Sequence, residues 1–260
     1  MENIKLEIAD QVATLWLNRS KIHNAMNENM IDELLDGFKS LDADTSIRII
    51  EIKGEGSSFS SGADLNYMKK TASLPFKDNV QDAMKLANLF YMIYSSPKFV
   101  ISVVHGNVAG GANGISAASD MVIAARKTRF RFSELTLGLI PATISPYIIN
   151  RCGLAKAKLL MLSSREFSAK EAMKAGLVDK IVSINKIEEV ISEIKKSVLR
   201  TSPLNSAEAK RLFLAESYLK ITPEVIQSTS ESLAKARASE EAREGLNAFL
   251  QKRKPNWKSN

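Results

Sequence analysis

Two glycine-bearing turns are the parts of this sequence best suited to chemistry: SSFSSGADL (Ser57–Leu65) and HGNVAGGANG (His105–Gly114). Each follows a strand-like run and leads into a helical pattern, so each offers backbone N–H groups at a helix start. Glycine costs a helix interior about 1 kcal/mol relative to alanine, so Gly106, Gly110, Gly111 and Gly114 each need a turn, a close packing contact or a ligand. N–H groups at a helix start, with the positive end of the helix dipole behind them, suit an oxygen that carries or develops negative charge. Two converging N–H groups form an oxyanion hole. Taken singly, each turn is more simply a geometric device. Neither matches a nucleotide loop: no G-x-x-x-x-G-K-[ST] occurs and no G-x-G-x-x-G follows a strand, which disfavours a nucleotide triphosphatase or a dinucleotide-dependent dehydrogenase.

Other reactive residues are few. Cys152 is the single cysteine, which excludes an intrachain disulfide, and the two histidines, His23 and His105, leave little for a zinc site. His105 stands at a strand end and reads as structural. Asp64 suits the N-cap of the following helix, and Asp120, between small residues and a strand, also reads as structural.

The elements that must position the turns come from periodicity. Ile4–Asn18 alternates around Ala9-Asp10-Gln11 and predicts a hairpin. Asn27–Asp44 places Met30, Ile31, Leu34, Leu35 and Phe38 on one helical face. Ile47–Gly54 predicts a strand, with helices from Asp64 and across Asn79–Pro97, then a buried strand over Lys98–Gly106. The second glycine turn starts a short helix, and Met121–Ala125 and Arg129–Phe132 return to strand. Strand, strand and helix thus recur in units of about forty to fifty residues, which predicts a coiled stack of layers. From Ser145 the pattern is almost entirely helical, with a Ser168/Glu171 capping box, a helix end at Gly176, a short strand over VDKIVS, and helices from about Lys186, Leu204, Thr222 and Ser239. A mixed α/β core over 1–195 and a helical segment over 196–260 follow.

At 260 residues, with 45% hydrophobic and 25% charged residues, the composition is that of an ordinary globular protein. The longest apolar run, Phe99–Val104, is far too short for a membrane span, and the charged start MENIKLEIAD lacks a secretion signal's apolar core. The expectation is a cytoplasmic protein with no membrane partner. A net charge of +7 suits an anionic ligand, and the basic run Gln251–Lys258 reads as a solvated end.

Five segments in order, LNRSKIHNAMN, FSSGADLNYMKK, HGNVAGGANGISAASDMVIAA, FRFSELTLGLIPATISPYI and FSAKEAMKAGLVDKIV, resemble the enoyl-CoA hydratase/isomerase (crotonase) family, and the likeness runs on to EGLNAFLQKRKP. The resemblance implies an α/β crotonase-like spiral of repeated β-β-α units with a C-terminal helical trimerisation segment, assembled as a homotrimer or homohexamer. It implies an oxyanion hole from the N–H groups of Ala63 and Gly111 for the thioester carbonyl of an acyl-CoA, and Glu134 as the catalytic carboxylate. Ser61, Gly62, Asp64, Gly110 and Gly114 belong to the same motifs, and Arg19, Lys21 and Ile22 match the loop along the CoA nucleotide. Phe249 and Lys252 would approach CoA from the C-terminal helix of the same or a neighbouring subunit. No metal or cofactor is implied beyond the CoA of the substrate.

Gly114 departs from the pattern, since many hydratases of the family carry a second glutamate there. SGADLNYMKK and LGLIPATISPYII resemble the 3-methylglutaconyl-CoA hydratase subgroup of leucine and isoprenoid breakdown, in which glycine commonly stands at this position. The expected activity is reversible hydration of an α,β-unsaturated acyl-CoA by a single glutamate. A Δ3,Δ2-enoyl-CoA isomerase using the same groups is the alternative, and a catalytically idle RNA-binding member of the fold is an alternative of another class, disfavoured by the lack of an aromatic RNA-reading motif. A glutaconyl substrate would need a basic partner for its distal carboxylate, for which Arg131 and Lys69 are candidates.

Overall fold

The structure, a computed structural model, describes residues 2–217 and 220–257. β1 (Ile4–Ala9) and β2 (Val12–Leu17) form the expected hairpin, turning through Asp10 and Gln11, both in the left-handed region. After α1 (Glu28–Ala43) and β3 (Ile49–Gly54) come α2 (Leu65–Ala72), α3 (Phe76–Ser95), β4 (Phe99–Val104), β5 (Asn107–Ala109) and α4 (Gly111–Ala118). The chain continues through β6 (Met121–Ala125), β7 (Arg129–Arg131), α5 (Ser145–Cys152), α6 (Leu154–Ser163), β8 (Glu166–Ser168), α7 (Ala169–Ala175) and β9 (Lys180–Val182). It ends in α8 (Ile187–Leu199), α9 (Pro203–Glu216), α10 (Pro223–Arg237) and α11 (Glu240–Leu250).

Among the described residues, β1-β2-β3-β4-β6-β9 form one six-stranded sheet, parallel except for the opening hairpin. β5-β7-β8 form a second, smaller sheet, extended by isolated bridges from Met26 to Ala63 and from Ser60 to Val108. Each turn of the chain thus adds one long strand to the first layer and a short extended piece to the second. Parallel strands covered on both faces read as nearly continuous apolar runs, as FVISVV does, while IIEIKG buries Glu51 and Lys53 as an ion pair that Lys195 joins. One face packs on α1, α3 and α4 through Leu34, Phe38, Phe90 and Ile115, and the other on α8 through Ile187 and Ile191. Among the described residues no helix is long and apolar enough to cross a membrane.

Three expectations need correction. The helix expected from Asn79 begins at Phe76, because Pro75 sets the extended entry and Asp78 falls in the first turn. The stretch from His105 is not helical at once: Asn107–Ala109 pairs with Arg129–Arg131 before Gly110 breaks into α4. The region after Ser145 also contains β8, antiparallel to β7, within what reads as a helical run. Of the 196–260 segment, α10 buries Leu233 against Ala83 and Ala142, so part of that segment packs on its own core. The basic run Gln251–Lys258 ends outside the described residues.

Candidate active site

The loop after β3 is shaped so that one N–H stays free. Asn24 Nδ2 donates to the carbonyls of Glu55 (2.8 Å) and Ser58 (2.9 Å), and Ser60 Oγ donates to the Asn24 carbonyl (2.8 Å). Around Ala63, Gly62 N donates to Ser60 Oγ, Met26 N to the Gly62 carbonyl and Asp64 N to the Met26 carbonyl. Its neighbours are all engaged, while the Ala63 N–H meets no acceptor among the described residues. Asp64 is the N-cap of α2, accepting from Asn66 N and Tyr67 N, and its other oxygen meets Arg19 Nη1 at 3.1 Å.

The second turn does the same for Gly111. Gly110, at φ +51°, donates its N–H to the Arg131 carbonyl, and Asn113 Nδ2 donates to the carbonyls of Arg131 (2.9 Å) and Gly110 (3.2 Å). Gly111 is the first residue of α4, so its N–H has no acceptor inside the helix and none elsewhere among the described residues. The two turns lie back to back: a Cβ on Gly62 (φ +90°) would stand 2.9 Å from the Ala109 carbonyl oxygen and 3.7 Å from Gly110 N. A Cβ on Gly110 would stand 3.7 Å from Glu134 Oε1, which brings the carboxylate to the same place.

Glu134 opens a 3-10 turn over Glu134–Leu137, closed by Gly138 at φ +69°. Its Oε2 is buried without a hydrogen-bond partner, and burial pushes the carboxyl up to about 7, with the backbone N–H groups of Glu134 and Ser133 pulling weakly the other way. A carboxyl in that range exchanges protons readily near neutrality. The turn is braced by α11: a Cβ on Gly245 would fall inside the van der Waals shell of the Leu137 backbone, and one on Gly138 inside that of Glu241.

These groups open onto a cavity of about 850 Å³. Ala63, Gly110, Gly111 and Glu134 line it, with Lys21, Ile22, Ser61, Asp64 and Phe249 from the expected set. Four expected residues do not. Gly62 is buried behind the turn, and Arg19 is spent on Asp64 and on the Ala25 carbonyl (2.5 Å). Lys252 stays outside the wall, which Arg253 joins instead, paired with Glu244. Gly114 lies inside α4, where a Cβ would approach Ile144 Cγ2 to 2.5 Å and Phe90 Cε1 to 2.8 Å; it is a packing glycine and does not touch the cavity. His105 Nε2 lies 2.9 Å from the Gly56 carbonyl oxygen, and Asp120 accepts from Val100 N and Lys210 Nζ, so both serve structure. Arg131 lines the cavity but is exposed, and Lys69 is exposed and off the wall.

One part of the wall has no forerunner in the sequence reading. Tyr67 and Arg237 line the cavity and meet on Asp82: the Tyr67 hydroxyl donates to both Asp82 oxygens (2.8 Å each) and Arg237 Nη1 to Oδ2 (2.7 Å). Arg237 comes from α10, 155 positions from Asp82, so no local spacing links them. Among the described residues no cluster of three His, Cys, Asp or Glu side chains stands ready to hold a metal ion. Two free N–H groups beside a protonatable carboxylate can hold an enolate oxygen and move a proton on the adjacent carbon.

The comparisons agree with that chemistry. Residues 7–260 match the family description "Enoyl-CoA hydratase/isomerase". The chain is 30% identical to a crotonyl-CoA hydratase of Syntrophomonas wolfei, covering 98% of each chain, and 28% identical to a 2,3-dehydroadipyl-CoA hydratase of Escherichia coli, covering 99% of each. It superposes on the crystal structure of an enoyl-CoA hydratase from Shewanella pealeana with a TM-score of 0.81 at 36% identity, covering 98% of this chain and 96% of that one. The layered strands, the paired turns and the match over nearly the whole length place the chain in the enoyl-CoA hydratase/isomerase family, with the crotonase fold.

Proposed function

We propose that the protein is a hydratase that adds water reversibly across the α,β double bond of an acyl-CoA, of the 3-methylglutaconyl-CoA type. The observation that carries this reading is the buried, unpartnered Oε2 of Glu134 beside the free N–H groups of Ala63 and Gly111. The two N–H groups hold the thioester oxygen. Ionised Glu134 takes a proton from water, whose oxygen bonds to Cβ while the double-bond electrons move to the thioester oxygen. Collapse of the enolate takes the proton from Glu134 to Cα, so one carboxylate serves both steps and is regenerated. Each donor to the enolate oxygen contributes about 3 kcal/mol of transition-state stabilisation.

Relatives named as hydratases of crotonyl-CoA and of 2,3-dehydroadipyl-CoA are in keeping with hydration, and relatives named as isomerases match at similar identity, so the choice between the two activities falls to the assay. The reaction calls for no metal or redox cofactor, and CoA enters as part of the substrate. Lys21, Ile22 and Phe249, exposed at the rim, suit the CoA moiety. We place the enzyme in the cytoplasm, in keeping with its lone cysteine, and read 196–260 as the segment that assembles trimers or hexamers. In support, α9 buries none of its residues and exposes Leu204, Leu212 and Phe213.

The test is incubation with crotonyl-CoA and 3-methylglutaconyl-CoA in oxygen-labelled water, with wild type and Glu134→Gln. Labelled 3-hydroxyacyl product that disappears in the variant is expected. Unlabelled thioester from both substrates, with migration of the double bond in a 3-enoyl-CoA, would replace the hydratase by the isomerase.

A further inference from the structure

Among the described residues four Lys and Arg side chains line the cavity, Lys21, Arg131, Arg237 and Arg253, and of these only Arg237 is buried, at 8% exposure. Its Nη1 is occupied, donating to Asp82 Oδ2 (2.7 Å) and Asn79 Oδ1 (3.0 Å). Asn79 is fixed in turn by its own Nδ2, which donates to the Thr71 carbonyl (2.9 Å). Asp82 and Asn79 stand behind the cavity wall, so the guanidinium is clamped from the rear by one nitrogen. The guanidinium also interacts with the Tyr67 hydroxyl, and neither Nε nor Nη2 donates to a carbonyl or carboxylate among the described residues. Those two N–H groups lie on the same edge of a planar guanidinium, in the fork that matches the two oxygens of a carboxylate. Tyr67, whose hydroxyl is spent on Asp82, stacks near the guanidinium at 6.0 Å and supplies an apolar face beside it.

A buried cation is expensive to keep, and a charge-balancing Asp82 alone would satisfy it with the fork turned either way. Clamping Nη1 and leaving the fork open is what a binding site requires. We propose that Arg237 binds a carboxylate at the far end of the acyl chain, so that the cavity selects thioesters of dicarboxylic acids. Arg131 and Lys69 are poorer choices: Arg131 is exposed with its Nε on the Ser164 carbonyl, and Lys69 lies off the wall. The inference rests on the reading of the cavity as an acyl-CoA site. Asp82 repels the incoming carboxylate, so the clamp tempers the preference that Arg237 creates.

The decisive measurement is direct binding, by titration calorimetry, of glutaryl-CoA and pentanoyl-CoA, which differ by a terminal carboxylate in place of a methyl and need no reaction. Wild type should bind glutaryl-CoA about tenfold more tightly, and Arg237→Met should bring the two to within about threefold of each other. Asp82→Asn, which keeps the guanidinium and its fork, should widen the preference beyond wild type and answers the objection that Arg237→Met has only loosened α10. A preference unchanged in both variants, or pentanoyl-CoA bound as tightly as glutaryl-CoA by wild type, overturns the role of Arg237. Hydration of crotonyl-CoA in labelled water reports separately on the hydratase reading: if it succeeds while the binding preference is absent, the hydratase stands and the dicarboxylic specificity is lost together with the role of Arg237. If neither thioester binds at all, the acyl-CoA reading of the cavity falls with it.

Discussion

Replacing Glu134 by glutamine should stabilise the protein above neutral pH and leave it little changed in acid. The carboxyl is raised from 4.5 to about 7 by burial without a partner for Oε2. Below pH 4.5 the group is protonated in folded and unfolded chains alike, so wild type and variant respond alike. Between 4.5 and about 7 the unfolded chain releases a proton that the folded chain keeps, so wild-type stability falls relative to the variant as pH rises. Above about 7 both states are ionised and the gap is constant. A rise of that size corresponds to about 3.5 kcal/mol at 1.4 kcal/mol per pH unit, an upper figure because Glu134 as a whole residue is only half-buried. Urea unfolding of wild type and Glu134→Gln at a series of pH values and fixed protein concentration measures the gap. A gap that stays flat from pH 4 to pH 8, or widens towards acid, would refute the account of a carboxylate held at the cost of folding for its chemistry.

Four further outcomes follow from the geometry. In hydration, kcat/KM should rise with pH with a midpoint of about 7 as Glu134 ionises, and a steady-state profile without an inflection near there would contradict its role as base. Gly114→Ala should cost about 1–3 kcal/mol through overpacking against Phe90 and Ile144, read from the shift in urea midpoint. For the same reason Gly114→Glu should yield a destabilised protein and no second catalytic carboxylate, checked by unfolding and by the labelled-water assay. Gly245→Ala should lower kcat more than it raises KM, because the added methyl displaces the turn that carries Glu134 and leaves the N–H groups of Ala63 and Gly111 in place.

Much of the site was legible because its parts are local. The capping box at Ser168 and Glu171 closes both of its hydrogen bonds, Gly176 ends α7 in the left-handed region, and Asp64 caps α2, each a matter of a few adjacent residues. The two glycine turns are legible for the same reason. β5 and β8, three residues each, are too short to show alternation against the helical patterns beside them. That Arg19 pairs with Asp64 was not legible, because an arginine near a binding loop reads the same whether it faces a ligand or a neighbouring carboxylate. The Arg237 clamp was invisible for a deeper reason: its members come from α2, α3 and α10, and only the packing of α10 on α3 brings them together. Gly114 carries the opposite lesson. Its neighbours in space, Phe90 and Ile144, lie on other elements, so a motif position can look like a vacancy for chemistry when it is filled by packing.

The backbone contact of Gly245 and Gly138 with the opposing chain also sets an order of events during biosynthesis. The strands and both glycine turns are made well before α11 leaves the ribosome. Until it does, the turn bearing Glu134 has no brace, and the cavity lacks the part of its wall that Ala242, Leu246 and Phe249 supply. Activity should therefore arrive abruptly with the synthesis of α11, and nicking of the chain between α10 and α11 should silence the enzyme before it unfolds the spiral.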